Sequence, residues 1–121
     1  MKVLVIDDDP QMVKAVEMVI KELKCIVSKS YSGEDALKKV KKNLYDLIIV
    51  DLILPGIHGL EFIRMLRKTS RYFSVPVLLM TGNMSQEDAH AAISAGANDL
   101  LVKPFEVETL QQKMKALIQI D

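Results

Sequence analysis

"VLVIDDDP", residues 3–10, runs an apolar stretch directly into three adjacent carboxylates and a proline. Val and Ile favour the pleated strand, and an unbroken apolar run suits a strand covered on both faces. Pro10 has no amide hydrogen for a ladder but fits the first position of a helix, with Asp9 before it as N-cap. Val13, Val16, Val19, Ile20 and Leu23 then recur at helical spacing, so the stretch reads as strand, acidic turn and helix. Three like charges in succession repel one another. Either they are merely solvated, or something positive belongs beside them.

The same alternation continues outward. Short apolar runs at 3–6, 26–30, 47–52, 77–80 and 100–102 are separated by amphipathic stretches, which predicts βα units and a parallel sheet. Ser32 with Asp35 and Ser85 with Asp88 resemble capping boxes, opening helices that carry Ala36, Leu37 and Val40, and Ala89, Ala92 and Ile93. Gly96 caps the latter helix. A helix after Gly59 turns Leu60, Ile63 and Leu66 inward, and one from about Val107 turns Leu110, Met114, Leu117 and Ile118 inward. The expectation is five strands and five helices.

Composition excludes several classes of function. The chain of 121 residues suits one domain, 1–121, burying roughly two-thirds of its unfolded surface. Its formal net charge of zero gives no footprint for nucleic acid or an anionic membrane. Cys25, the single cysteine, cannot form an internal disulfide and reads as a small buried apolar residue, and two histidines, His58 and His90, are too few for a histidine–cysteine metal site. Both histidines read as exposed. The seven methionines read as core filler. No apolar stretch has signal-peptide or membrane-spanning length, so the expected location is the cytoplasm.

In an open parallel sheet, ligands bind beyond the carboxyl ends of the strands, where the strand order reverses. Asp7 and Asp8 follow the first expected strand, Asp51 ends the third, Thr81 the fourth, and Lys103 with Pro104 the fifth. If the first and third strands are neighbours, Asp7, Asp8 and Asp51 converge, with Asp9 turned away as a cap. Three carboxylates against Lys103 leave two negative charges uncompensated. A divalent cation relieves that repulsion without protonation, and an oxygen-only donor set selects a hard ion such as Mg2+ (or Mn2+). Taken singly, each residue has an ordinary reading, as a solvated turn, a strand end or an N-cap. Their placement after four strands argues for a site.

At these residues the sequence resembles the receiver domain of two-component response regulators. The resemblance rests on "VLVIDDDP", "DLIIVDLILPGIHGLEFI", "VPVLLMTGN" and "AGANDLLVKPF", in that order. It implies a flavodoxin-like three-layer sandwich with a sheet of order 2-1-3-4-5. It implies Asp51 as phosphoacceptor, Mg2+ held by Asp8, the Asp51 carboxylate and the backbone carbonyl of Ile53, and Asp7 acting on the metal mainly through water. Thr81 and Lys103 would contact phosphoryl oxygens, with a cis Lys103–Pro104 bond and space left by Gly82. The donor would be a phosphohistidine on a sensor kinase or phosphotransfer protein, and the output a protein target or attached domain. Such a chain is a signalling domain rather than an enzyme, catalysing only its own phosphorylation and dephosphorylation. Two departures stand out: Ile53, where many receivers carry a polar residue, and Leu100, where an aromatic is usual.

Rival functions fail on named residues. A flavodoxin-like cofactor binder needs a hydroxyl- and glycine-rich phosphate loop where this chain has acids, and an aspartyl phosphatase would carry a second Asp at the position of Ile53. A receiver-like interaction module that no longer depends on phosphorylation remains the alternative.

Overall fold

The computed structural model describes residues 1–82 and 85–119; Asn83, Met84, Ile120 and Asp121 therefore lie outside the described residues. Five strands, β1 (Lys2–Ile6), β2 (Ile26–Ser30), β3 (Leu47–Asp51), β4 (Val77–Thr81) and β5 (Asp99–Val102), alternate with α1 (Pro10–Glu22), α2 (Gly33–Lys42), α3 (Gly59–Arg67), α4 (Gln86–Ala95) and α5 (Val107–Leu117). All pair in parallel, in the order β2-β1-β3-β4-β5. This is the expected flavodoxin-like arrangement.

Strand side chains alternate between faces, and the core divides accordingly. Leu4, Ile6, Ile48, Val50 and Leu79 pack with α2, α3 and α4 on one face. Val3, Val5, Leu47, Ile49, Leu78, Met80 and Leu101 pack with α1 and α5 on the other. The helix starts follow the sequence: Asp9 accepts the Gln11 amide, Ser32 that of Asp35 and Ser85 that of Asp88. Gly96 closes α4 at φ +118°, a left-handed conformation that disfavours any side chain.

Several expectations need correction. Leu52 lies beyond β3, although its amide still donates to the Met80 carbonyl at 2.8 Å. The Ser32 box is half-formed, because the Asp35 carboxylate instead accepts from Ser30 Oγ and pairs with Lys39. Ile93 is 52% exposed, since the buried stripe of α4 is Ala92 and Ala95, three residues apart. Among the described methionines Met80 and Met114 are core and Met12 is half-buried against it, whereas Met1, Met18 and Met65 are exposed. A short 3-10 helix at Ser70–Tyr72, which periodicity cannot register, precedes β4. Its Tyr72 hydroxyl bonds the Asn43 carbonyl and accepts the Tyr45 amide, joining two loops under the sheet.

Candidate functional site

Register brings the acids together. Ile6 pairs with Val50, so Asp7 and Asp51 follow side by side at the ends of β1 and β3. Asp51 in turn pairs with Met80, which places Thr81 one step beyond on β4, and Thr81 pairs with Val102, next to Lys103. The first three of these strands straddle the change in strand order, where an open α/β sheet binds its ligands. Asp7 is fixed from three directions: its amide donates to the Ser30 carbonyl at 3.1 Å, its Oδ1 accepts the Asp9 amide at 3.0 Å, and its Oδ2 accepts from Lys103 Nζ at 2.9 Å. Lys103 Nζ also lies 3.1 Å from Asp51 Oδ1.

Carboxylate oxygens of Asp7, Asp8 and Asp51 all lie within 4.8 Å of one another. Asp7, Asp51 and Thr81 are buried, whereas Asp8 is exposed at the rim. The sequence-predicted residues therefore converge. Burial raises the Asp51 carboxyl above the ordinary carboxylate range, the Asp7 charge adds to that effect, and Lys103 opposes it. Burial by itself would depress the Lys103 ammonium, but its bonds with Asp7 and Asp51 hold it above the usual lysine value. Three carboxylates and one ammonium leave two negative charges in an all-oxygen donor set. That donor set fits a hard divalent cation.

The loop after β3 carries Ile53, whose side chain is 69% exposed. Gly59 starts α3 so close to this loop that an added Cβ would strike the Asp51 carbonyl oxygen and the Leu52 backbone. At Gly82 an added Cβ meets nothing within 4 Å, so the space expected beside Thr81 is present. The Lys103–Pro104 bond is cis, as expected. Leu100 is half-buried against the α3–α4 side of the core. His58 and His90 are exposed.

The response regulator receiver domain family matches residues 3–115. The chain belongs to that family. This receiver is 33% identical over 118 residues to the response regulator ArlR of Staphylococcus aureus, covering 98% of the chain but 52% of that protein. The ArlR of Staphylococcus saprophyticus is 32% identical over the same length. The chain thus spans about half the length of these curated relatives. Among solved structures, the chemotaxis response regulator CheY4 of Vibrio cholerae superposes with a TM-score of 0.93 at 32% identity, covering 97% of this chain and 98% of that one. The receiver domain of sensor histidine kinase PA1611 from Pseudomonas aeruginosa superposes with a TM-score of 0.88 at 28% identity, covering 96% and 95%; it holds a magnesium ion in its active-site cleft.

Sequence reasoning missed the supports of the site. The Ser30 carbonyl orients Asp7, and Glu34 of α2 accepts the Ile57 amide in the loop after β3. Glu34 looked like an ordinary acidic residue in a first helical turn, and no local pattern points from it to Ile57.

Proposed function

We propose that residues 1–121 form a single phosphoacceptor receiver unit in which Asp51 takes a phosphoryl group from a phosphohistidine. The carrying observation is the convergence of Asp7, Asp8 and Asp51 around Lys103 at the ends of β1, β3 and β5. A carboxylate oxygen of Asp51 attacks phosphorus, the phosphorus–nitrogen bond breaks, and its electron pair returns to the imidazole, leaving an acyl phosphate. Lys103 supplies a compact positive charge to a phosphoryl oxygen, and Thr81 a hydroxyl from the neighbouring strand.

Asp8, Asp51 and the Ile53 carbonyl would hold Mg2+ (or Mn2+) directly, with Asp7 acting through water. A bound ion of this kind neutralises charge on the transferring oxygens. The partners on this reading are a sensor histidine kinase or phosphotransfer protein and a downstream protein target or output domain, in the cytoplasm. The domain's only chemistry is its own phosphorylation and dephosphorylation.

The test is intact-mass measurement after incubation with a small acyl phosphate. One added phosphate is expected with Mg2+, and none under chelation or in Asp51→Asn. Labelling that survives the substitution overturns the assignment, and no labelling of the wild type favours the phosphorylation-independent interaction module.

A further inference from the structure

The loop between β3 and α3, residues 52–58, carries Ile53 past the phosphoacceptor. Its base is closed by the Gly59 amide, which donates to the Leu52 carbonyl at 3.0 Å, and Leu54 is tucked into the core. Its far side is held by a different element. In the first turn of α2, Glu34 Oε1 accepts the Ile57 amide at 3.0 Å. A Cβ added at neighbouring Gly33 would come within 3.0 Å of the Ile57 carbonyl oxygen. At Gly56, φ is +70° and an added Cβ would run into the Glu34 carboxylate. Two consecutive residues of α2 therefore grip two consecutive residues of the loop, at an approach that glycine permits.

A carboxylate accepting from a backbone amide makes a charge-assisted bond, stronger than a neutral one. The N-terminus of α2 also favours a negative charge at Glu34, so the strut is seated from both ends. We propose that Glu34 is a positioning residue for the metal: by holding Ile57 it fixes the course of the loop and with it the Ile53 carbonyl. The inference rests on the reading of that carbonyl as a metal donor. Mg2+ demands near-ideal octahedral geometry, so a backbone donor on a loosened loop contributes less. Groups bonded directly to a metal ligand commonly change affinity by about 10- to 100-fold, and Glu34, which acts on the donor through Ile57, belongs at the lower end of that range.

The experiment is calorimetric titration of the full chain with Mg2+ alone, beside amide exchange at Ile57 and melting without metal. Glu34→Ala is expected to raise the Mg2+ dissociation constant about tenfold and speed Ile57 exchange. In acyl-phosphate labelling it raises the Mg2+ requirement while leaving the rate at saturating Mg2+ near that of wild type. Glu34→Gln keeps an acceptor oxygen and retains most of the affinity. Gly56→Ala also weakens binding, and adds less in a Glu34→Ala background, where its clash is gone. If Glu34→Gln loses as much affinity as Glu34→Ala while Ile57 exchange stays as slow as in wild type, charge near the site rather than loop position is responsible, and the proposal falls. It also falls if Glu34→Ala melts lower yet binds Mg2+ like wild type. A wild type that takes up no Mg2+ overturns the metal site itself, and this inference with it.

Discussion

Asp51 carries a charge that its surroundings resist. Burial and the neighbouring Asp7 raise its carboxyl above the usual range despite Lys103, so the folded protein holds that proton more tightly than the unfolded chain does. From the unfolded value near ~3.9 up to the raised folded one, the unfolded chain loses its proton first and stability falls as pH rises. At neutral pH the ionised Asp51 thus costs stability. In metal-free buffer at pH 7, Asp51→Asn should be more stable than wild type by on the order of 1 kcal/mol, about 4 °C in melting temperature. The gap should close below about pH 4, where the wild-type carboxyl is also neutral. Thermal melts across this range check it, and an Asn variant that melts lower at pH 7 contradicts it. Mg2+ at tenfold its dissociation constant should recover about 1.4 kcal/mol in the wild type only. Two residues past Asp51, Ile53 exposes an apolar side chain, with no group to orient an attacking water. Ile53→Asn should shorten the acyl-phosphate lifetime several-fold, measured by loss of label after the donor is removed; an unchanged or longer lifetime removes the argument.

Among the helices, α4 is held by the least apolar surface: its buried residues are Ala92 and Ala95 alone. Its C-terminal end is instead pinned by Arg67, whose guanidinium makes five hydrogen bonds to Gly96, Tyr72, Val75 and Asn98. A Cβ at Gly96 would meet Arg67 Cγ at 2.8 Å on top of the unfavourable φ. Gly96→Ala should therefore cost about 2 kcal/mol in urea denaturation. A cost that vanishes argues that α4 repositions freely. A helix resting on two alanines can shift where one resting on leucines cannot, since little buried contact is lost. Phosphorylation is accordingly expected to be read out through the stretch from Thr81 into α4, while half-buried Leu100 contributes packing only. Amide chemical shifts with and without a phosphoryl mimic test this. The expectation fails if residues 85–95 stay unchanged while Leu100 switches between buried and exposed rotamers.

At the scale of the whole molecule, the sheet separates two apolar layers, and the fully buried strands β3 and β4, with β1 buried from Val3 onward, bind both together. A cavity in either layer is felt everywhere, because close-packed cores relax only partly. Ile49 lies in the middle of β3, facing α1 and α5 with no exposed surface. Ile49→Ala should cost about 2–5 kcal/mol, a large share of the stability of a domain this size. Urea titration followed by far-UV circular dichroism would measure it, and a loss under about 1 kcal/mol would mean the layer repacks.

Element order, both serine N-caps, the glycine cap of α4 and the site acids were legible in the sequence because each depends on near neighbours. The alternation of β-branched runs with 3.6-residue periodicity forces a parallel sheet, and a parallel sheet puts Asp7, Asp8, Asp51, Thr81 and Lys103 at one edge. The outward face of Ile93 and the exposure of Met1, Met18 and Met65 were not legible, because burial depends on which side of a helix meets the sheet and apolar character alone does not say. Contacts between distant segments belong to tertiary structure entirely: the Tyr72 hydroxyl beneath Asn43, the Arg67 guanidinium over Gly96, and Glu34 on the Ile57 amide. Each joins a side chain to a backbone group, and every residue has the same backbone. The sequence by itself determined the acids and the sheet edge that gathers them; only the folded chain decided which side chains hold that edge in place.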